Sequence, residues 1–172
     1  MVLEQFAAVK LLFLDVDGVL TDGSVLVTED GAQLRRFSTK DGYAIQLAIK
    51  QGLPIVVISG GSSVGVKHRL NKLGVTDIHL NITDKLTLLE NRLEAYGLQA
   101  KDTAFIGDDM PDLPCLQRVG LAICPQDAVE EIKAAAAYVS PKKGGEGCVR
   151  EVLEKILKLQ HKWHQGAGVQ SV

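Results

Sequence analysis

Short apolar runs recur along the chain at residues 11–16, 54–59, 77–80, 103–107 and 121–124, each about the length of a strand. In the first, second and fourth runs the apolar content is nearly continuous, as in strands covered on both faces. Between the runs the apolar period changes. Residues 42–51 carry Ile45, Leu47, Ala48 and Ile49 on one broad stripe. Residues 63–73 place Val66, Leu70 and Leu73 at helical spacing, and residues 84–96 do the same with Leu86, Leu89, Leu93 and Tyr96. Residues 127–137 and 147–159 predict two further helices. Strands alternating with helices predict βαβ units around a parallel sheet, an α/β fold of the doubly wound kind. Gly52, Gly74, Gly97 and Gly120 stand where these segments end, and a left-handed cap favours glycine there. The apolar stretch before residue 14 carries Glu4 and Lys10 and reads as the lead into the first strand, not as a signal peptide.

One segment interrupts the alternation. Residues 24–28 and 33–38 flank Glu29-Asp30-Gly31, and Asp-Gly between two such arms is a hairpin signal. A β-hairpin over about 24–38 is therefore predicted to project just after the first strand. No linker or repeat follows. A single domain over 1–160 is expected, with a glycine-containing polar tail, 161–172, that is poorly ordered.

Composition narrows this picture. At 172 residues and 46% apolar, one chain can bury a core without disulfide staples. Cys115, Cys124 and Cys148 are odd in number and show no metal-ligand spacing, which points to a reducing, cytoplasmic location. No apolar run approaches the roughly 20 residues of a membrane span. With 19 Lys+Arg against 21 Asp+Glu and only 5% aromatic residues, a broad nucleic-acid surface is excluded.

Parallel sheets bind ligands outside the carboxyl ends of their strands, so chemistry is sought there. The first run ends in Asp15-Val16-Asp17-Gly18. Two carboxylates so close are costly unless a cation neutralises them, and Mg²⁺ suits a site of few carboxylates beside phosphate. A calcium loop starting at Asp15 would need a glutamate at its twelfth position, which is Leu26. The run 103–107 leads into Gly107-Asp108-Asp109-Met110-Pro111-Asp112, a second acidic cluster at a strand end. Helix capping explains one such aspartate; three in five residues exceed what capping needs. The run 54–59 ends in Ser59-Gly60-Gly61-Ser62-Ser63. Hydroxyls and N–H groups before a helix can hold an anion, or Ser62 or Ser63 can simply cap it. Lys85 opens a helix, where the dipole disfavours a cation; it reads either as a solvated surface residue or, taken with the acidic clusters, as the partner of a phosphate and a carboxylate.

In this order Asp15-x-Asp17-Gly18-x-x-Thr21, Ser59-Gly60, Lys85 and Gly107-Asp108-Asp109-x-x-Asp112 resemble the four motifs of the haloacid dehalogenase superfamily of phosphohydrolases. More narrowly, Asp17-Gly18-Val19-x-Thr21-Asp22-Gly23, the hairpin, Lys40-Asp41-Gly42-Tyr43 and Gly144-Gly145-x-Gly147-x-x-Arg150-Glu151 resemble the capless 3-deoxy-D-manno-octulosonate 8-phosphate phosphatase family. The resemblance implies a Rossmann-like core with no cap domain. It implies hydrolysis of a small sugar-acid phosphate, most simply the eight-carbon one, and a place in lipopolysaccharide biosynthesis. A nine-carbon 2-keto-3-deoxy sugar acid 9-phosphate of the sialic-acid type, or another small phosphate, is the alternative substrate.

The resemblance also assigns roles. Asp15 is the nucleophile, and Asp17 the general acid and base. Mg²⁺ is held by Asp15, the Asp17 carbonyl and Asp108. Ser59, Gly60 and Lys85 bind the phosphoryl group, while Asp109 and Asp112 orient the metal's ligands and Lys85. Hairpins of four subunits associate, giving a homotetramer, and Arg69 and Lys72 meet the substrate carboxylate across an interface. On their spacing alone, Arg69 and Lys72 read equally as the solvated face of a helix. The resemblance further implies a large charged residue, Arg or Glu, after Ser59-Gly60; this chain has Gly61.

Two non-enzymatic readings compete. A receiver-type phosphoacceptor shares the doubly wound fold but carries its aspartate on the third strand, and the run 77–80 ends without an acidic residue. A silent assembly domain would be expected to lack a motif residue, and none is lacking.

Overall fold

A computed structural model describes residues 2–163 and Val169. Six strands form one parallel sheet: β1 (Leu11–Leu14), β4 (Ile55–Ile58), β5 (Asp77–His79), β6 (Thr103–Ile106), β7 (Leu121–Cys124) and β8 (Tyr138–Val139). Two short strands, β2 (Leu26–Val27) and β3 (Gln33–Leu34), pair antiparallel as the expected hairpin. The helices are α1 (Val2–Ala8), α2 (Thr39–Lys50), α3 (Val64–Lys72), α4 (Lys85–Tyr96), α5 (Leu113–Arg118), α6 (Glu130–Ala135) and α7 (Cys148–Leu159).

The sheet order is β5-β4-β1-β6-β7-β8. The chain runs outward from β1 through β4 to β5, then returns to the other side of β1 for β6, β7 and β8. The direction of winding reverses between β1 and β6, and a crevice opens beyond the carboxyl ends at such a point. Leu14 is in register with Val57 on one side and Ile106 on the other, so β4, β1 and β6 end side by side.

Both faces of the sheet are covered, which is why β1, β4, β6 and β7 are wholly buried. Successive side chains alternate faces. Leu12 and Leu14 join one core cluster with Ile45 of α2, Leu70 of α3 and Val152 of α7. Leu11 and Phe13 join the other with Leu89 of α4, Cys115 of α5 and Ile132 of α6. Each such fully buried Leu or Phe contributes about 1.5–3 kcal/mol relative to exposure.

Three expectations need correction. The N-terminal stretch is not merely a lead into β1: Val2–Ala8 form a helix whose Phe6 is fully buried, edge-on to Tyr138 at 5.1 Å between ring centroids. Strand β8 was not expected; two residues are too short to show a period. Gly52, Gly74 and Gly97 adopt positive φ, but Gly120 does not. Its glycine is required because a Cβ would lie 2.1 Å from the Lys101 carbonyl oxygen. The expected tail falls mainly outside the described residues; within them Trp163 lies edge-on to Tyr43, with Arg150 stacked over both rings.

Candidate active site

The three adjacent strand ends carry Asp15 after β1, Ser59 after β4 and Asp108 just beyond β6. With Asp17, Lys85 and Asp112 they line one cleft of about 530 Å³. Gly60 and Asp109 line it too. Residues separated by up to 97 positions meet because of the strand order, not because of any local motif.

Lys85 is the first residue of α4, whose N-cap Asp84 accepts from the Thr87 N–H. The Lys85 side chain is 6% exposed, and its Nζ lies 3.0 Å from Asp15 Oδ1 and 2.7 Å from Asp112 Oδ1. Burial opposes the Lys85 charge, but the two carboxylates outweigh it and raise its pKa above the usual value. The second oxygen of Asp112 accepts the Asp108 N–H at 3.0 Å. Asp112 thus spans Lys85 and the Asp108 backbone.

Asp15 and Asp108 are held under electrostatic load. Burial, reinforced by Asp112, pushes the Asp15 carboxyl up to about 7 against the pull of Lys85. Burial, with Asp15, Asp112 and Asp109 adding repulsion, pushes Asp108 up to about 8. Carboxyls raised in this way seek a cation. Asp15, Asp108 and Asp112 each offer an oxygen within 4.8 Å of the others. The buried Oδ1 of Asp108 has no hydrogen-bond partner, whereas both oxygens of Asp112 are engaged. An all-oxygen donor set with one orphaned carboxylate oxygen fits a hard divalent ion such as Mg²⁺, with Asp15 and Asp108 as its carboxylate ligands.

The loop after β1 is shaped for this. Gly18 has φ 83°, and a Cβ there would fall 1.9 Å from Asp108 Oδ2. The fully buried Thr21 hydroxyl accepts from the N–H groups of Gly18 and Gly23, closing the turn. The basic loop around Gly144 packs against the same turn: Gly145 N donates to Val19 O at 3.0 Å.

Other expected residues divide. Ser63 caps α3 by accepting from Val66 N, which leaves Ser59 at the strand end. Asp109 is exposed and caps the next turn by accepting from Met110 N at 2.8 Å. Arg69 lies outside the cleft, in a neighbouring groove of about 990 Å³ between the hairpin and α3. Lys72, exposed at the end of α3, lines neither space. The residue that sequence reasoning missed is Arg35, on the second arm of the hairpin. Its Nε lies 2.6 Å from Asp17 Oδ1 and its Nη2 3.1 Å from Asp17 Oδ2. A signal existed: Phe37 packs against the core, and residues two apart on an extended arm share a face.

Comparison with known proteins agrees with this geometry. A family model described as haloacid dehalogenase-like hydrolase matches residues 75–152. The chain is 35% identical over 168 residues to the 3-deoxy-D-manno-octulosonate 8-phosphate phosphatase of Yersinia pestis, covering 98% of this chain and 90% of that one. The crystal structure of a Yersinia pestis phosphatase of the same name superposes with a TM-score of 0.94 at 36% identity, covering 99% of this chain and 92% of the other. The Moraxella catarrhalis phosphatase, crystallised with magnesium ion, phosphate ion and KDO, superposes with a TM-score of 0.90 at 35% identity, covering 93% and 92%.

Proposed function

The chain belongs to the 3-deoxy-D-manno-octulosonate 8-phosphate phosphatase family of haloacid dehalogenase-like hydrolases, and from that premise we propose that it is a Mg²⁺-dependent phosphatase that hydrolyses this eight-carbon sugar-acid phosphate. The observation that carries the reading is the convergence of Asp15, Ser59, Lys85 and Asp108 in one cleft at the point where the sheet reverses.

Asp15 attacks phosphorus and forms an aspartyl-phosphate as the bond to the sugar oxygen breaks. Asp17 delivers a proton to that departing oxygen. It then takes one from the water that cleaves the intermediate, releasing inorganic phosphate and regenerating the Asp15 carboxylate. Ser59 and the backbone at Gly60 hold phosphoryl oxygens. Lys85 neutralises charge on them and keeps Asp15 aimed, while Asp112 fixes Lys85 from behind. Asp109 supports the turn that carries Asp112. Magnesium bound by Asp15, the Asp17 carbonyl and Asp108 supplies the charge that lets an anionic nucleophile approach an anionic phosphate. Catalysis is then mainly positioning and charge stabilisation, as phosphoryl transfer requires.

The protein works as a homotetramer in the cytoplasm. Supporting this, Leu26 and Val27 on the hairpin are 66% and 63% exposed and Val64 at the start of α3 is 88% exposed, apolar side chains that other copies of the chain would cover. In that assembly Arg69 and Lys72 meet the sugar carboxylate from a neighbouring subunit. The three cysteines are free and buried, which suits a reducing compartment, and no described helix is long and apolar enough to cross a membrane.

The test is a panel of sugar phosphates with and without EDTA. The eight-carbon acid phosphate gives the highest kcat/KM, and EDTA abolishes turnover. A higher kcat/KM for a nine-carbon 2-keto-3-deoxy acid 9-phosphate would move the substrate assignment, and turnover that survives EDTA would remove the metal. A light-scattering mass of one chain would contradict the shared site.

A further inference from the structure

The hairpin strands are exposed, yet the Arg35 side chain next to β3 is only 5% exposed. It reaches inward across the border between the cleft and the groove holding Arg69, and its planar fork meets both oxygens of Asp17. Such two-point contacts fix orientation as well as distance. The guanidinium and the Asp17 carboxylate lie close over Gly61. A Cβ on Gly61 would lie 3.1 Å from Asp17 Oδ2, 3.3 Å from Arg35 Nη2 and 3.5 Å from Ser59 Oγ. Any longer side chain at 61 would compete with Arg35 for its place on Asp17. A stripped backbone position on one element and a long cation from another thus complement each other.

We propose that Arg35 is a positioning residue that aims the Asp17 carboxylate at the leaving-group oxygen, with Gly61 reserving the space it needs. The inference rests on the phosphatase reading and on Asp17 as proton donor. The grip does not block that role. Each carboxylate oxygen has two lone pairs, and the fork uses one on each, which leaves one on each oxygen open to the departing group. A latch that merely ties the hairpin to the body is the competing account.

Leaving-group dependence separates the two. An alkyl phosphate such as 3-deoxy-D-manno-octulosonate 8-phosphate needs its departing oxygen protonated; p-nitrophenyl phosphate leaves as a stable anion and needs little help. Arg35→Ala is expected to lower kcat on the sugar phosphate by about 100-fold, the low end of what a positioned acid contributes, and on p-nitrophenyl phosphate by no more than about fivefold. Arg35→Lys, with one donor in place of the fork, recovers part of the loss. In an Asp17→Asn background Arg35→Ala adds nothing, because the two act as one unit. Gly61→Leu reproduces the Arg35→Ala pattern and adds little to it when the two are combined. Equal losses on both substrates, losses that multiply in the Asp17→Asn background, or a fully active Gly61→Leu would each overturn the proposal. Wild-type protein inactive on both phosphates would instead overturn the phosphatase reading beneath it.

Discussion

Gly18 and Asp108 compete for one space: a Cβ on Gly18 would sit 1.9 Å from Asp108 Oδ2, and nothing but a glycine lets that carboxylate lie over the loop after β1. The same loop carries Asp15 and Asp17, so this contact brings Asp108 against the turn that follows the nucleophile's strand.

Gly18→Ala and Gly31→Ala form a matched pair. Both positions have φ 83°, but a Cβ on Gly31 meets nothing within 4 Å. Each variant loses about 1–2 kcal/mol to the left-handed backbone. Gly18→Ala alone also loses about 10–100-fold in magnesium affinity, the range for disturbing a ligand's surroundings. Thermal melts and magnesium titrations of the two variants check this.

Lys85→Met leaves Asp15 and Asp112 facing each other without their shared cation. Removing one partner of a buried charge cluster costs about 3–5 kcal/mol. Denaturant unfolding in EDTA reads that loss, and sugar-phosphate turnover disappears with it. Unchanged stability would mean that Lys85 does not hold the two carboxylates together.

How much of this was legible in the chain depends on distance along it. The β1 run and its Asp15-x-Asp17-Gly18 ending announce themselves, because burial on both faces demands continuous apolar residues and the carboxylates follow at once. Ser59, Lys85 and Asp108 were found because the strand-end rule says where to look, although only the strand order brings them together. Arg35 was missed because its partner lies 18 residues away across the hairpin, and Arg35-Arg36 reads as solvated charge. Arg36 behaves that way, being 82% exposed beside Asp22. Helix α1 was missed because only Phe6 of its seven residues is buried, too few to display a helical stripe.

Metal-free protein is expected to lose stability as pH rises. Asp15, Asp41 and Asp108 have folded pKa values raised to about 7, about 6 and about 8, above the roughly 4 of an unfolded aspartate. In each, burial is the largest cause. Between those values the folded chain keeps protons that the unfolded chain has lost. The stabilisation is therefore complete below about pH 4 and is lost as pH passes upward through the folded values. Melting temperature in EDTA falls between about pH 4 and 8, and magnesium flattens the upper part of that fall. A melting temperature that rises over this range in EDTA would contradict the assignment.

Asp41 does a different job from the other buried aspartates. It sits in the first turn of α2, yet its Oδ1 accepts the Arg150 N–H of α7 at 2.7 Å. The N-cap of α7 is Gly147, which has no side chain to cap the helix. Asp41→Ala removes this borrowed cap and costs about 1–2 kcal/mol. Asp41→Asn keeps an acceptor and costs less, and chemical denaturation ranks the two. Equal costs would mean that the hydrogen bond to α7 does not matter.

The central claim is that Asp15 carries the phosphoryl group. Rapid acid quench during turnover of the sugar phosphate, followed by peptide mass spectrometry, reads it directly. The account predicts a transient phosphoryl group on the peptide bearing Asp15, absent in Asp15→Asn, whose turnover is lost. A phosphoryl group on another residue, or full turnover by Asp15→Asn, would contradict it.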